Sequence, residues 1–210
     1  MQAIRERVGY DVRLRIDANM AWEVGEAIQE LNALADYDID FAEQPVDWQE
    51  LDGLARVREA VPMPVAVDQG CFTEKEAIQV IQKKAAEVIV VGLHETGGIT
   101  GMKKLATVAR AGGLRLCRHG VMGETSVSTL TALQVSASIT NQTAGHQAMH
   151  QLNENDIVST DLLRFEGGDI RVPDGSGMGI ELDTDMVEKY ARKYEEDGPF
   201  WPCPTKPNDP

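Results

Sequence analysis

The sequence predicts an α/β fold, a parallel (β/α) barrel of TIM type that is incomplete, and three observations carry that prediction. Short apolar runs rich in Val and Ile alternate with segments of helical period. The residues that close those runs recur at a steady interval: 26 residues from Asp17 to Glu43, 25 to Asp68, 24 to Gly92 and 27 to His119. One strand and one helix per repeat of about 25 residues indicates successive βα units on a parallel sheet. No Gly-rich phosphate fingerprint follows the first strand, which disfavours an open doubly wound sheet. About six units are visible, where a full barrel of this type has eight.

The first predicted strand is "VRLRI", in which Val12, Leu14 and Ile16 alternate with arginines before Asp17. The helix after it sets Val24, Ala27, Ile28, Leu31 and Leu34 on one face. "DIDFAE" is the second strand, and "DWQELDGLARVREAV" the second helix, with Asp47 as N-cap and Glu50 three residues on. "PVAVD" precedes "FTEKEAIQVIQKKA", where Thr73 and Glu76 form another capping box. "EVIVVG" leads to "GMKKLATVARAGG", whose paired glycines suit a helix C-terminus. "LRLCRH" leads to "SVSTLTALQVSASI", and "TAGHQAM" is a weaker last strand. Residues 1–165 are thus expected to form the barrel part, 166–192 a segment after its last unit, and 193–210 a Pro-rich tail anchored by Phe200 and Trp201.

Composition narrows the function. A formal net charge of -14 argues against nucleic-acid binding and against docking on anionic membranes. An acidic substrate would then need a local positive charge, such as a metal ion. No apolar run approaches the roughly 20 residues of a membrane span, and "MQAIRERVGY" lacks a secretory apolar region. Cys71, Cys117 and Cys203 are odd in number and scattered without zinc-site spacing, which suggests reduced thiols and a cytoplasmic location.

Asp17, Glu43 and Asp68 end three consecutive strands, so in a barrel they converge on the mouth. Three converging acids repel one another, and a divalent cation relieves the repulsion. A site built of carboxylate oxygens, with neither His nor Cys, suits Mg2+ rather than zinc.

"LRIDANMAW", "FAEQPV", "VPMPVAVDQG" and "GGITGMKKLATVARAGGL" resemble consecutive barrel segments of the enolase superfamily, in its mandelate racemase and muconate lactonizing branch. "FEGGDIRVPDGSGMGIELD" is similar to that family's segment after the last barrel unit, so the likeness runs from about residue 3 to residue 192. The resemblance implies a modified (β/α)7β barrel and magnesium held by Asp17, Glu43 and Asp68, with Asn19 and Gln44 orienting those ligands. It also implies abstraction of a proton α to a carboxylate through an enediolate, from a small carboxylate-containing substrate. Protons beside a carboxylate are very weakly acidic, so charge stabilisation that grows toward the transition state must accompany the base.

The sequence departs from the family's pattern at several points. The family places a Lys, or an Asp paired with His, at the end of its sixth strand, where this chain has Gly92; His94, two residues on, is the candidate there. His119 closes the seventh strand and is the leading proton-transfer candidate, because a histidine titrates near neutrality. Glu124 resembles an acid of the muconate branch, and Arg118 is a candidate partner for it or for substrate. Gln69 stands where many relatives carry a second acid. His146 and His150 are assigned to the last unit's loop or helix rather than to a metal pair, and Trp22 is a candidate pocket wall. No counterpart of the family's capping domain and first two strands precedes residue 1, so the chain is expected to be completed by a preceding portion or by another chain, or to be a homo-oligomer. The favoured reaction is dehydration of a sugar acid or hydroxy acid. The alternatives are racemisation, epimerisation or cycloisomerisation, or a catalytically incomplete scaffold that binds metal, ligand or a partner.

Overall fold

The structure, a computed structural model, describes residues 1–143, 145–158 and 163–198. The chain divides into two compact units, residues 1–118 with 139–146, and residues 119–138 with 147 onward.

In the first unit α1 (Gln2–Val8) precedes five strands: β1 (Leu14–Asp17), β2 (Ile39–Glu43), β3 (Val65–Val67), β4 (Val88–Val91) and β5 (Arg115–Arg118). Helices α2 (Val24–Ala33), α3 (Leu51–Ala60), α4 (Glu74–Lys83) and α5 (Ile99–Ala111) connect them. Every pairing is parallel, and the order in the sheet is the order in the chain. This is an α/β unit of an incomplete TIM-type barrel, as the spacing predicts. Val65, Ala66 and Val67 are wholly buried, and so is every residue of β4. Strands covered on both faces read as unbroken apolar runs, which is why these two lack alternation. Neighbouring helices pack in sequence, α2 on α3, α3 on α4 and α4 on α5. They bury stripes such as Leu54 with Val57 and Leu105 with Ala109. Each buried Leu or Val contributes about 1.5–3 kcal/mol.

Register shows what shares the sheet's other face. Arg15 lies opposite Phe41, Asp17 opposite Glu43, Glu43 opposite Ala66, Ala66 opposite Val88 and Val90 opposite Cys117. Side chains alternate along a strand, so these residues line one face, and Phe41, Ala66, Val88, Val90 and Cys117 form an apolar cluster there. The pairing of β1 with β2 skips Asp40, a bulge whose carboxylate accepts from Arg15 Nε at 2.9 Å. The Arg15 guanidinium lies 4.4 Å from the Phe41 ring centroid and donates to the Gly145 carbonyl at 2.8 Å.

Two local expectations need correction. Asp47 does not cap α3: its carboxylate accepts from Gln49 N–H at 2.8 Å in a turn of its own, and Glu50 stands at the N-cap. The Thr73–Glu76 box does form, with Glu76 N–H donating to Thr73 Oγ1 and Thr73 N–H to Glu76 Oε2. The weak strand "TAGHQAM" is reduced to one isolated parallel bridge just ahead of it, Leu116 with Gln142. Residue 144, within it, lies outside the described residues.

The second unit holds α6 (Ser126–Ala137), a short 3-10 turn at His150–Leu152, the antiparallel hairpin β6 (Phe165–Glu166) and β7 (Asp169–Ile170), and α7 (Thr184–Asp197). The hairpin turns on Gly167 and Gly168, at φ +62° and +95°, a left-handed pair that suits the twist of a two-residue turn. Asp183 caps α7 by accepting from Met186 N–H at 3.0 Å. The helix runs through residues 193–197, which the sequence reading assigns to the tail. Phe200, Trp201 and Cys203 lie outside the described residues. Cys71 and Cys117 are free and buried, and burial, followed by the nearby Glu76 charge, pushes the Cys71 thiol up to about 12. Among the described residues no helix is long and apolar enough to cross a membrane.

Candidate active site

Three strands of the first unit end in acids. Asp17 closes β1 directly across from Glu43 at the end of β2, and Asp68 follows β3, two residues beyond Glu43's partner Ala66. Glu43 and Asp68 are only 6% and 5% exposed, whereas Asp17 is exposed. The Asp17 carboxylate accepts from Asn19 twice, from N–H at 2.8 Å and from Nδ2 at 3.4 Å, which fixes its orientation.

Gln44 binds the strand ends together. Its Oε1 accepts from Asp68 N–H at 2.8 Å and from Gly70 N–H at 3.3 Å, while its Nε2 donates to the Val46 carbonyl at 3.0 Å. The backbone here is left-handed at Gln44 (φ +31°), Asn19 (φ +46°) and Met20 (φ +64°), and Met20 N–H donates to the Gln44 carbonyl at 2.7 Å. Such conformations cost non-glycine residues about 1–3 kcal/mol each and concentrate at functional sites. Gln69 is half-buried, and its Oε1 has no hydrogen-bond donor among the described residues. Beside these ends Trp22 helps to line a cleft of about 720 Å³ with Met20, Val46, Asp47, Glu50 and Arg56.

Glu95 also belongs to this mouth, and the sequence reading did not single it out. Gly92 follows β4, and the chain folds back so that Glu95 Oε2 accepts from Gly92 N–H at 2.7 Å. Its other oxygen lies 3.4 Å from His94 Nε2, and a carboxylate oxygen of Glu95 comes within 4.8 Å of one of Asp68. The Glu95 side chain is 15% exposed against 50% for His94, so the acid rather than the histidine is tucked in. Only the turn geometry reveals it, because three residues of loop separate Glu95 from the strand's alternation.

By its chemistry the expected donor set of Asp17, Glu43 and Asp68 would suit a hard divalent cation. It is all oxygen, two of its carboxylates are buried, and the neighbouring Gln69 offers an amide oxygen that no described donor uses. Among the described residues, however, the carboxylate found within 4.8 Å of Asp68 in a three-residue cluster is Glu95 rather than Asp17 or Glu43.

His119 immediately follows β5 and is half-buried. It opens the second unit, to which Glu124 also belongs. Glu124 is buried just ahead of α6, where Ser128 Oγ donates to its Oε1 at 3.1 Å and Asn153 Nδ2 donates to its carbonyl at 2.7 Å. A Cβ at Gly120 would stand 2.6 Å from Glu124 Oε2, so the glycine admits the carboxylate. Arg118 is 1% exposed, and its backbone N–H donates to His146 Nδ1 at 3.0 Å. Burial first, then the Arg118 and Arg15 charges, lower the His146 pKa, in keeping with an Nδ1 that accepts. His150 is buried with its ring stacked on Phe165. A cleft of about 960 Å³ in the second unit, lined by Thr125, Asn153, Asp156 and Tyr190 among others, contains none of the candidate residues.

Comparison with known proteins adds a lineage. Residues 1–186 match the family described as enolase C-terminal domain-like. The chain is 34% identical over 182 residues to an L-Ala-D/L-Glu epimerase of Bacillus subtilis, covering 86% of this chain and 49% of that protein. It is 30% identical over 190 residues to an N-succinyl-L-Arg/Lys racemase of Bacillus cereus, covering 90% and 50% respectively. A dipeptide epimerase from Cytophaga hutchinsonii, solved in complex with Mg and the dipeptide D-Ala-L-Val, superposes with a TM-score of 0.84 at 26% identity, over 90% of this chain and 51% of that one. The chain thus spans about half the length of these relatives.

Proposed function

Since the chain belongs to the enolase C-terminal domain-like family, we propose that it carries the acidic mouth of an isomerase that moves a proton at the carbon α to a carboxylate. The observation that carries this reading is the pair of buried carboxylates, Glu43 and Asp68, at consecutive strand ends with Asp17 in register beside them. In this reading Asp17, Glu43 and Asp68 hold Mg2+, with Asn19, Gln44 and Gln69 orienting them. Magnesium bound there supplies positive charge for the carboxylate of a small substrate, charge that this acidic chain lacks. His119 is the proton-transfer group, with His94 as the alternative, and Glu124 assists from the start of α6.

Racemisation or epimerisation of a dipeptide or N-acylated amino acid is favoured over dehydration of a sugar acid or hydroxy acid, because the matched relatives include epimerases and a racemase. Cycloisomerisation is the second reading, supported by similarity to a D-galactarolactone cycloisomerase at 33% identity.

The test has two arms on the full chain. Magnesium is expected to raise the thermal midpoint, and Asp68→Asn to lose most of that increment, since a ligand bound only to the native state stabilises it by mass action. Equal increments in both proteins would remove the metal assignment. His119→Asn is expected to lower deuterium uptake at the α-carbon of L-Ala-L-Glu about 10²–10⁴-fold, the range for a general acid–base group. The magnesium increment should survive that substitution.

A further inference from the structure

We propose that Glu95 is a positioning residue for proton transfer at this mouth, acting through His94. Its carboxylate keeps the proton of the His94 ring on Nε2 and so leaves the lone pair on Nδ1. The inference rests on the proton-transfer reading above and takes the alternative histidine named there, His94, as a group that transfers a proton. Three observations carry it. First, Gly92 brings no side chain to the end of β4, and the turn after it supplies two in that place. On the strand's period of two, Gly92 continues the face of Val88 and Val90. A Cβ built at 92 would stand 2.8 Å from His94 Cε1, 3.0 Å from His94 Nδ1 and 2.9 Å from Glu95 Oε2. The imidazole and the carboxylate therefore lie together over Gly92, where a side chain borne by the strand would have been. Second, the two oxygens of Glu95 are divided between the backbone and the ring. Oε2 accepts from Gly92 N–H at 2.7 Å, and Oε1 lies 3.4 Å from His94 Nε2. Third, the turn that carries both side chains is closed on itself. Thr96 Oγ1 donates to the Leu93 carbonyl at 3.0 Å, Gly98 N–H donates to the same carbonyl at 2.8 Å, and Gly97 N–H donates to the His94 carbonyl at 3.2 Å.

The chemistry of an imidazole gives such a carboxylate its role. A neutral ring has one N–H and one basic nitrogen, and its surroundings decide which is which. A carboxylate beside Nε2 favours the proton there, because the positive end of the N–H dipole faces the negative charge. Nδ1, the nitrogen nearer to Gly92, is then the one that takes a proton. As it takes the α-proton, the substrate's Cα–H bond breaks, an Nδ1–H bond forms, and the electron pair passes into the substrate's carboxylate system. The imidazolium so formed faces the Glu95 charge, which stabilises it without accepting the proton. Glu95 needs no contact with substrate for this, only its place beside the ring.

The experiment compares the full chain with Glu95→Gln, Glu95→Asp, His94→Asn and the double variant Glu95→Gln with His94→Asn. Nitrogen NMR of histidine-labelled protein, at a pH where the ring is neutral, reads the tautomer; the His94 signals are those lost in His94→Asn. They are expected to show the Nε2–H form in the parent and in Glu95→Asp, and a mixture of the two forms in Glu95→Gln. Deuterium uptake at the α-carbon of L-Ala-L-Glu, with magnesium present, should fall about 10-fold in kcat in Glu95→Gln with KM nearly unchanged. That is less than the roughly 10²–10⁴-fold cost of losing a proton-transfer group itself. Glu95→Asp should recover part of the rate. His94→Asn should lose more than Glu95→Gln, and the double variant no more than His94→Asn, since a residue acting through that ring has nothing left to act on. The rise of the thermal midpoint on adding magnesium should persist in every variant, which also reports that each is folded. An unchanged His94 tautomer in Glu95→Gln would overturn the inference and leave the proposed function standing. Additive losses in the double variant, or full uptake in His94→Asn, would do the same. Loss of the magnesium increment in Glu95→Gln would overturn it in favour of a cation ligand. No α-deuterium uptake by the unaltered chain would overturn both readings together.

Discussion

At the scale of single residues, the acids that face the mouth differ in how visible they are in the sequence. Asp17, Glu43 and Asp68 stand out because each interrupts an apolar run at a steady interval. Glu95 does not, because its position depends on a turn that brings it back three residues onto Gly92 N–H. Gln44 was expected to orient ligands, but that it ties Asp68 and Gly70 together through one amide oxygen follows from three-dimensional proximity alone. His146 yields a pH prediction. Its pKa is lowered in the folded protein, mainly by burial, so between that value and the unfolded value of about 6.5 the unfolded chain binds the extra proton. Stability contributed by neutral His146 is therefore present above about pH 6.5 and lost as pH falls through that window. Urea midpoints measured between pH 7.5 and 5.5 should fall less steeply in His146→Gln than in the parent.

Among the secondary-structure elements, strands with both faces buried are the most legible, since β3 and β4 are plain runs of Val, Ala and Ile. Helix starts are less so. Thr73 and Asp47 present the same pattern, a small polar residue with a glutamate three positions on, yet only Thr73 caps its helix. The difference lies at Asp47, whose carboxylate closes a turn onto Gln49 N–H before the helix can begin. Thr73→Ala should cost about 1 kcal/mol of unfolding free energy, the ordinary value of an N-cap. Asp47→Ala should cost less than Thr73→Ala, as a surface turn outside the helix. Paired chemical-denaturation curves decide the matter, and equal losses would mean that the turn supports α3 after all. The last strand is weak in the sequence and weak in the fold: the one isolated bridge lies just ahead of it at Gln142, and Gly145, at φ +82°, departs from extended backbone within the predicted run.

Over the whole molecule, the repeat of about 25 residues is the feature most fully legible, because sheet order equals chain order. What the repeat did not reveal is the division of the chain just after Arg118, since His119 continues the rhythm of strand ends while opening a separate compact unit. The simple sheet order has a kinetic consequence. Leu14 pairs with Ile39 and Val88 with Arg115, so each strand finds its neighbour by closing a loop of about 25 residues. The entropy of loop closure grows only logarithmically with length, so no single pairing carries a large entropic barrier of its own. Such a sheet can assemble by accretion during synthesis, each strand docking on the one made just before it.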